Sequence, residues 1–419
     1  MTSRARSLLQ PIEEFAFESG KIALLSGPRQ CGKTTLAQML LARRAVGEYC
    51  NWDDVRFRRR WVRDPFSTLP SAPDTFARKA PRQPSAPHPL VVYDEIHKDR
   101  RWKRTLKGLY DTMDRRCDIL VTGSARLDIY KRGSDSLLGR YVPFRLHPFS
   151  LREMRRSDVL LPDEAFERIF AKGGRLSKQR ESDLSDLMAY GPFPEPLFRQ
   201  DQRRARIWRR TREELLIRED LRDLSRLPEL SRIEMLTALL PAKVGGLLSV
   251  QSLSEDLEVA HPTVKRWLTY LKALFYVFEI KPWHRGVARS LRKAGKLYYW
   301  DYAGIEDEGA RFENLVASHL HKVCDFWTET GEGDFVLHFL RDKQKREVDF
   351  LIVRDGQPWL PVEVKLGDTS PAKSLFAYLK ILDLPRGLQI VRAPHRSFHE
   401  RGGHQVAVIG AGQVLAHLA

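Results

Sequence analysis

The sequence predicts a multidomain α/β protein with a parallel sheet in front, a helical stretch and a winged helix in the middle, and a second compact α/β unit at the end. Three observations carry this. Short apolar runs alternate with helical stretches over the first third of the chain, the pattern of a parallel sheet with crossover helices. A glycine-bounded loop, "GPRQCGKT", joins the first such run to the first helix. The last third repeats the alternation in the order α-β-β-β-α-β. With 419 residues, the chain is long enough for two to four cores.

In order, "KIALLSG" is a buried strand that runs through the loop into the helix "KTTLAQMLLARR". "PLVVYDE" and "CDILVTGSA" are two further buried strands. Residues 69–89, rich in Pro, Ala and Ser, read as a surface insertion between the first two strands. A polar, Arg- and Glu-rich helical region follows, interrupted by the Pro-punctuated turn "YGPFPEPLF". Next, a short helix and a turn lead into a helix opening near His261, Pro262 and Thr263. On that helix Val264, Trp267 or Leu268, Leu271 and Leu274 keep one apolar face, and a β-rich stretch comes after it. That order predicts a winged helix-turn-helix. The expected domains are 1–150 for the phosphate-loop domain, 151–228 for a helical lid on it, 229–290 for the winged helix and 291–419 for the C-terminal unit.

Composition narrows the function. The 71 Lys and Arg residues against 54 Asp and Glu give a formal charge of +17, which favours a polyanionic partner, DNA first among them. No apolar run approaches a membrane span or a signal peptide. The four cysteines, Cys31, Cys50, Cys117 and Cys324, are scattered without a CxxC pair. A zinc site and a disulfide framework are therefore not expected, and a cytoplasmic location is.

The loop fits GxxxxGK[ST]. Gly27, Pro28, Arg29, Gln30, Cys31, Gly32, Lys33, Thr34 and Thr35 are the expected ATP cradle, where backbone N–H groups and a helix N-terminus meet phosphate oxygens. Lys33 is expected on the β- and γ-phosphates and Thr34 on Mg²⁺. Asp94, at a strand end, is expected to complete the metal shell, and Glu95 to deprotonate the attacking water. Thr122, Ser124, Arg126 and Arg140 are each candidates to sense the γ-phosphate, Arg140 in cis or from a neighbouring subunit.

The stretch "REVDFLIVRDGQPWLPVEVK" reads as two strands and a turn. Residues i and i+2 of a strand share a face, so Glu363 and Lys365 point together and Asp349 can join them from the neighbouring strand. Glu313, on the preceding helix, can supply a further carboxylate. Carboxylates converging on Mg²⁺ beside a lysine are the parts of a phosphodiesterase centre. The expectation is a restriction-endonuclease-like fold with Glu313, Asp349 and Glu363 as metal ligands and Asp349, Glu363 and Lys365 as catalytic groups.

Together these stretches, with "VVYDEIHK", "ILVTGSAR", "SLLGRYVPFRLHPFSLREM", "REDLRDLSRL", "KLYYWDYAG" and "RFENLVASHL", resemble a prokaryotic family over nearly the whole chain. Its members are AAA-like P-loop ATPases whose C-terminal half is a domain of unknown function with a restriction-endonuclease-like part. The resemblance implies a P-loop AAA-like ATPase domain, ATP binding, a winged-helix module and a cytoplasmic location; AAA-like architecture also implies a homo-oligomer. The insertion at 69–89 departs from the family pattern. The resulting expectation is an Mg²⁺-dependent ATPase acting on nucleic acid. Two alternatives stand beside it: an ATP-gated DNA nuclease, and a nucleotide-controlled regulator that binds a protein partner and cuts nothing.

Overall fold

A computed structural model describes residues 4, 6–70, 88–113, 117–123, 137–155, 158–173, 177–221, 230–284 and 294–418. The chain divides into two units, 1–147 and 148–419. Most of the insertion at 69–89, together with Ser124 and Arg126, lies outside the described residues.

In the first unit, helix α1 (Leu9–Pro11, continued by a wider turn over Ile12–Phe17) leads to strand β1 (Ile22–Ser26). There follow α2 (Lys33–Leu41), β2 (Gly47–Asn51), α3 (Val55–Arg63), β3 (Leu90–Asp94), α4 (Trp102–Thr112), β4 (Asp118–Thr122) and β5 (Tyr141–Arg145). The strands form one all-parallel sheet in the order β2-β3-β4-β1-β5. The three strands read from sequence, β1, β3 and β4, are its interior. As expected for strands covered on both faces, β1 and β3 are buried along their whole length. A cluster including Trp61, Tyr93, Trp102, Leu106 and Val121 packs one face. Because β1 lies between β4 and β5, the carboxyl ends of β1, β3 and β4 share one edge. Open α/β sheets bind their ligands at that edge.

The second unit opens with α5 (Pro162–Phe170), α6 (Lys178–Tyr190), α7 (Pro194–Arg199) and α8 (Gln202–Glu214). Residues 151–228, expected as a lid on the first domain, belong instead with the C-terminal elements. Arg354 reaches Asp163 of α5 at 2.9 Å, and Arg392 donates to Ser185 of α6 at 2.8 Å.

The winged helix comprises α9 (Leu230–Leu239), α10 (Val250–Asp256), α11 (His261–Ala273) and the antiparallel hairpin of β6 (Val277–Pro282) and β7 (Lys296–Tyr299). Val264, Trp267, Leu268, Leu271 and Leu274 are all buried. The expected boundary at 290/291 is corrected by this hairpin, since β7 is the second strand of the wing.

Next come α12 (Glu308–Glu329), β8 (Phe335–Arg341), β9 (Glu347–Arg354), β10 (Gln357–Lys365), α13 (Lys373–Leu382), β11 (Arg386–Val391), β12 (Arg396–Arg401), β13 (His404–Gly410) and α14 (Ala411–Val414). Strand β6 also pairs with β8, so the wing extends an eight-stranded sheet ordered β12-β13-β11-β10-β9-β8-β6-β7.

Candidate functional site

The loop after β1 closes tightly for a stated reason. Gly27 has φ +155°, and a Cβ there would lie 2.5 Å from the Leu146 carbonyl oxygen. Gly32, φ +102°, caps the nine-residue helix α2. Side chains are disfavoured at both, so the backbone meets any ligand bare at a helix N-terminus. Lys33 is buried and donates to the carbonyls of Gly27 and Pro28 at 3.0 and 2.8 Å. Thr34, Thr35 and Gln30 are exposed. Cys31 is fully buried, with its thiol 3.6 Å from the Leu146 carbonyl, so only its backbone can serve a ligand.

Asp94 is 5% exposed and collects three hydroxyl donors. Thr34 donates to its Oδ2 at 3.3 Å; Tyr49 donates to the same oxygen and Thr122 to Oδ1. The register explains Thr122, which is Asp94's partner across β3 and β4. It thus holds the carboxylate, a place the sequence did not give this one of four γ-phosphate candidates. The donor set fits Mg²⁺: its octahedral shell at about 2.0–2.1 Å places adjacent oxygens close to 3 Å apart, near the Thr34–Asp94 separation.

Glu95 sits in a left-handed turn, φ 58°. Its N–H is anchored on the Thr122 carbonyl at 2.9 Å, and its carboxylate lies 3.5 Å from His97 Nε2. Burial raises the carboxyl above its ordinary range, and the nearby positive charge of Lys33 opposes the rise. A more basic carboxylate is a better proton acceptor.

Arg140 is the main correction here. It forms an exposed bidentate pair with Asp111, at 2.6 and 3.1 Å. Its carbonyl accepts from the Ile22 N–H, which places it where β1 begins. That is the sheet edge opposite the loop, so it does not reach the site in cis.

In the first unit, sequence reasoning missed two residues. Tyr49 lies on β2, a strand without an apolar run. Arg6, 3% exposed, donates to the Cys31 carbonyl at 2.8 Å and braces the loop from the N-terminal segment.

In the second unit the expected carboxylates lie near one another on β9, β10 and α12. Glu347 and Asp349 share a face of β9, Glu363 and Lys365 a face of β10, and Glu313 faces them from α12. Lys365 Nζ lies 2.7 Å from Glu363, and Asp349 accepts from the Val364 N–H at 2.9 Å. Burial and the adjacent Asp349 charge push both Glu313 and Glu363 up to about 7.

An unexpected member is Lys296 of β7, only 2% exposed. Its ammonium is 2.6 Å from Glu347, 3.5 Å from Asp349 and 3.6 Å from Glu313. Tyr298, two residues along, donates to Glu313 at 2.7 Å. No three of these carboxylates bring donor oxygens within 4.8 Å of one another. The expected shell of Glu313, Asp349 and Glu363 is therefore not assembled, because a lysine stands among the acids.

On the winged helix, Lys265 and Arg266 are exposed on α11. Lys272 is tied to Glu279 at 2.7 Å.

Comparison with known proteins agrees with this division. Residues 19–155 match the family described as AAA domain. Residues 181–304 and 308–410 match two domains of unknown function, DUF8612 and DUF4143. An uncharacterized protein of Mycobacterium tuberculosis is 24% identical over 398 residues, covering 91% of this chain and 78% of its own. Another, from Methanocaldococcus jannaschii, is 24% identical over 316 residues, covering 68% of this chain and 63% of its own. Among solved structures, a Thermotoga maritima RuvB variant overlays at 13% identity and TM-score 0.28, covering 66% of this chain and 89% of its own. Drosophila ORC bound to DNA gives 13% and 0.27, covering 69% and 89%. TM-scores this low fix no shared fold. With its phosphate loop, the Asp94–Thr34 pair and the match over residues 19–155, the first unit carries an AAA-like P-loop domain, followed by C-terminal domains of unknown function.

Proposed function

We propose that the chain binds ATP with Mg²⁺, hydrolyses it, and couples turnover to nucleic-acid binding. The observation that supports this best is the convergence of Thr34, Asp94 and Glu95 beside the loop. In this reading the loop N–H groups and Lys33 hold the phosphates, and Lys33 exchanges the Gly27 and Pro28 carbonyls for phosphate oxygens. Thr34 and Asp94 hold the metal, which when bound neutralises phosphate charge. Glu95 takes the proton of the attacking water. In this reading a charge-stabilising arginine comes from a second copy of the chain, as in the AAA-like architecture, and the active form is a homo-oligomer.

The net charge of +17 and the exposed Lys265 and Arg266 on α11 support a DNA partner. Cys31, Cys50, Cys117 and Cys324 are free and buried, and no described helix is long and apolar enough to cross a membrane. Both features are compatible with a cytoplasmic location.

The test is ATP hydrolysis with and without DNA, beside a Glu95→Gln variant. Turnover should fall roughly 10²–10⁴-fold in the variant, the usual contribution of a general base, with nucleotide binding retained. Wild-type turnover in the variant would remove Glu95 from the reaction.

A further inference from the structure

We infer that the C-terminal carboxylate centre takes the chain's own Lys296 as its cation in place of a divalent metal, and serves as a buried lock between the wing hairpin and the C-terminal sheet. Three observations lead there.

The first is spacing. A Mg²⁺ or Mn²⁺ ion draws ligand oxygens to about 2.1 Å, so any three of them lie within roughly 4.2 Å of one another. Glu313, Glu347, Asp349 and Glu363 offer no such trio, even within 4.8 Å. An ammonium accepts longer contacts, and Lys296 spans the acids at 2.6–3.6 Å.

The second is charge. The four carboxylates already face three cations: Lys296, Lys365 on Glu363, and Arg341 on Glu347. A divalent ion added beside Lys296 would meet the repulsion of its ammonium at close range.

The third is burial. Lys296 is 2% exposed, and its ammonium lies 5.6 Å from the Phe339 ring centroid. Admitting a metal would require ejecting this buried side chain from among the half-buried Glu313, Glu347 and Asp349.

The arrangement also says what the lysine joins. Lys296 and Tyr298 lie on β7, the outer strand of the wing. Their partners lie on α12 and β9. The contacts thus fasten an edge strand to elements that are not its sheet neighbours.

The experiment is a Mn²⁺ titration of the nucleotide-free full chain, read by the electron paramagnetic resonance of free Mn²⁺. Wild type and Asp349→Asn should bind the same number of ions. Lys296→Met should gain one ion, lost again in the Lys296→Met/Asp349→Asn double variant. Lys296→Gln replaces Lys296→Met if the latter does not fold. Thermal unfolding gives a second reading: Mn²⁺ should raise the Tm of the Lys296 variant over its value in EDTA, and leave wild type unmoved. Loss of a bound ion on Asp349→Asn in the wild-type background would overturn the inference, as would a Lys296 variant that gains none.

Discussion

Removing the Tyr49 hydroxyl isolates one of the three hydrogen bonds that hold Asp94. Tyr49→Phe keeps the ring on β2 and deletes a donor to a carboxylate that is 5% exposed. A hydrogen bond to a charged group contributes about 1.5–3 kcal/mol. Thr34 shares the same oxygen, so the low end applies, about 1.5 kcal/mol. For a unit of this size, 1 kcal/mol moves Tm by roughly 2–4 °C, which gives a drop of roughly 3–6 °C. Scanning calorimetry on the nucleotide-free chain in EDTA measures it. The relevant transition is the one that Mg²⁺-ATP shifts upward, which marks it as the first unit. The same substitution frees the Asp94 oxygen that faces Thr34, so Mg²⁺-ATP should stabilise the variant at least as much as wild type. A variant that melts within about 1 °C of wild type would refute the argument that this hydroxyl supports Asp94.

Three further outcomes are expected. Gly27→Ala should lower ATP affinity at least tenfold in a fluorescent-nucleotide titration, because its Cβ would meet the Leu146 carbonyl at 2.5 Å; unchanged affinity would mean the loop is looser than described. His319 is buried, accepts from the Leu151 N–H at 2.9 Å and has its pKa lowered to about 4 by desolvation. With the folded value below the unfolded one of about 6.5, its contribution, about 3 kcal/mol at full extent, is present above pH 6.5 and is lost as pH falls toward 4; urea unfolding of the second unit across that window should follow it, and His319→Gln should flatten the dependence. Finally, Lys265→Ala with Arg266→Ala should weaken binding to DNA of any sequence and reduce the slope of log K against log salt by about 2; an unchanged slope would place the DNA contact elsewhere.

The phosphate loop and the strand end that carries Asp94 and Glu95 were legible because the loop pattern fixes its residue types and the strands themselves are apolar runs. Both edge strands of the first sheet were not. Strand β2, "GEYCN", has one buried residue of five, since an edge strand has less to cover. Strand β5 contains Pro143, which argues against a strand in a sheet interior; at the edge, pairing only with β1, it is tolerated. Tyr49 was hidden with its strand. The carboxylates of the second unit were visible from their spacing by two, but Lys296 was not. In "GKLYYW" it reads as an ordinary surface lysine, and only the pairing of β6 with both β7 and β8 carries it among acids from elsewhere in the chain. Arg140 failed for the opposite reason: with so many basic residues, one more arginine after a glycine carries no positional information.

Because β6 hydrogen-bonds to β8 as well as to β7, the wing hairpin is part of the sheet behind it. A tilt of α11 that moved the hairpin would be carried along one backbone ladder that runs from the wing to strands as far away as β12. The module and the sheet behind it are mechanically one lever.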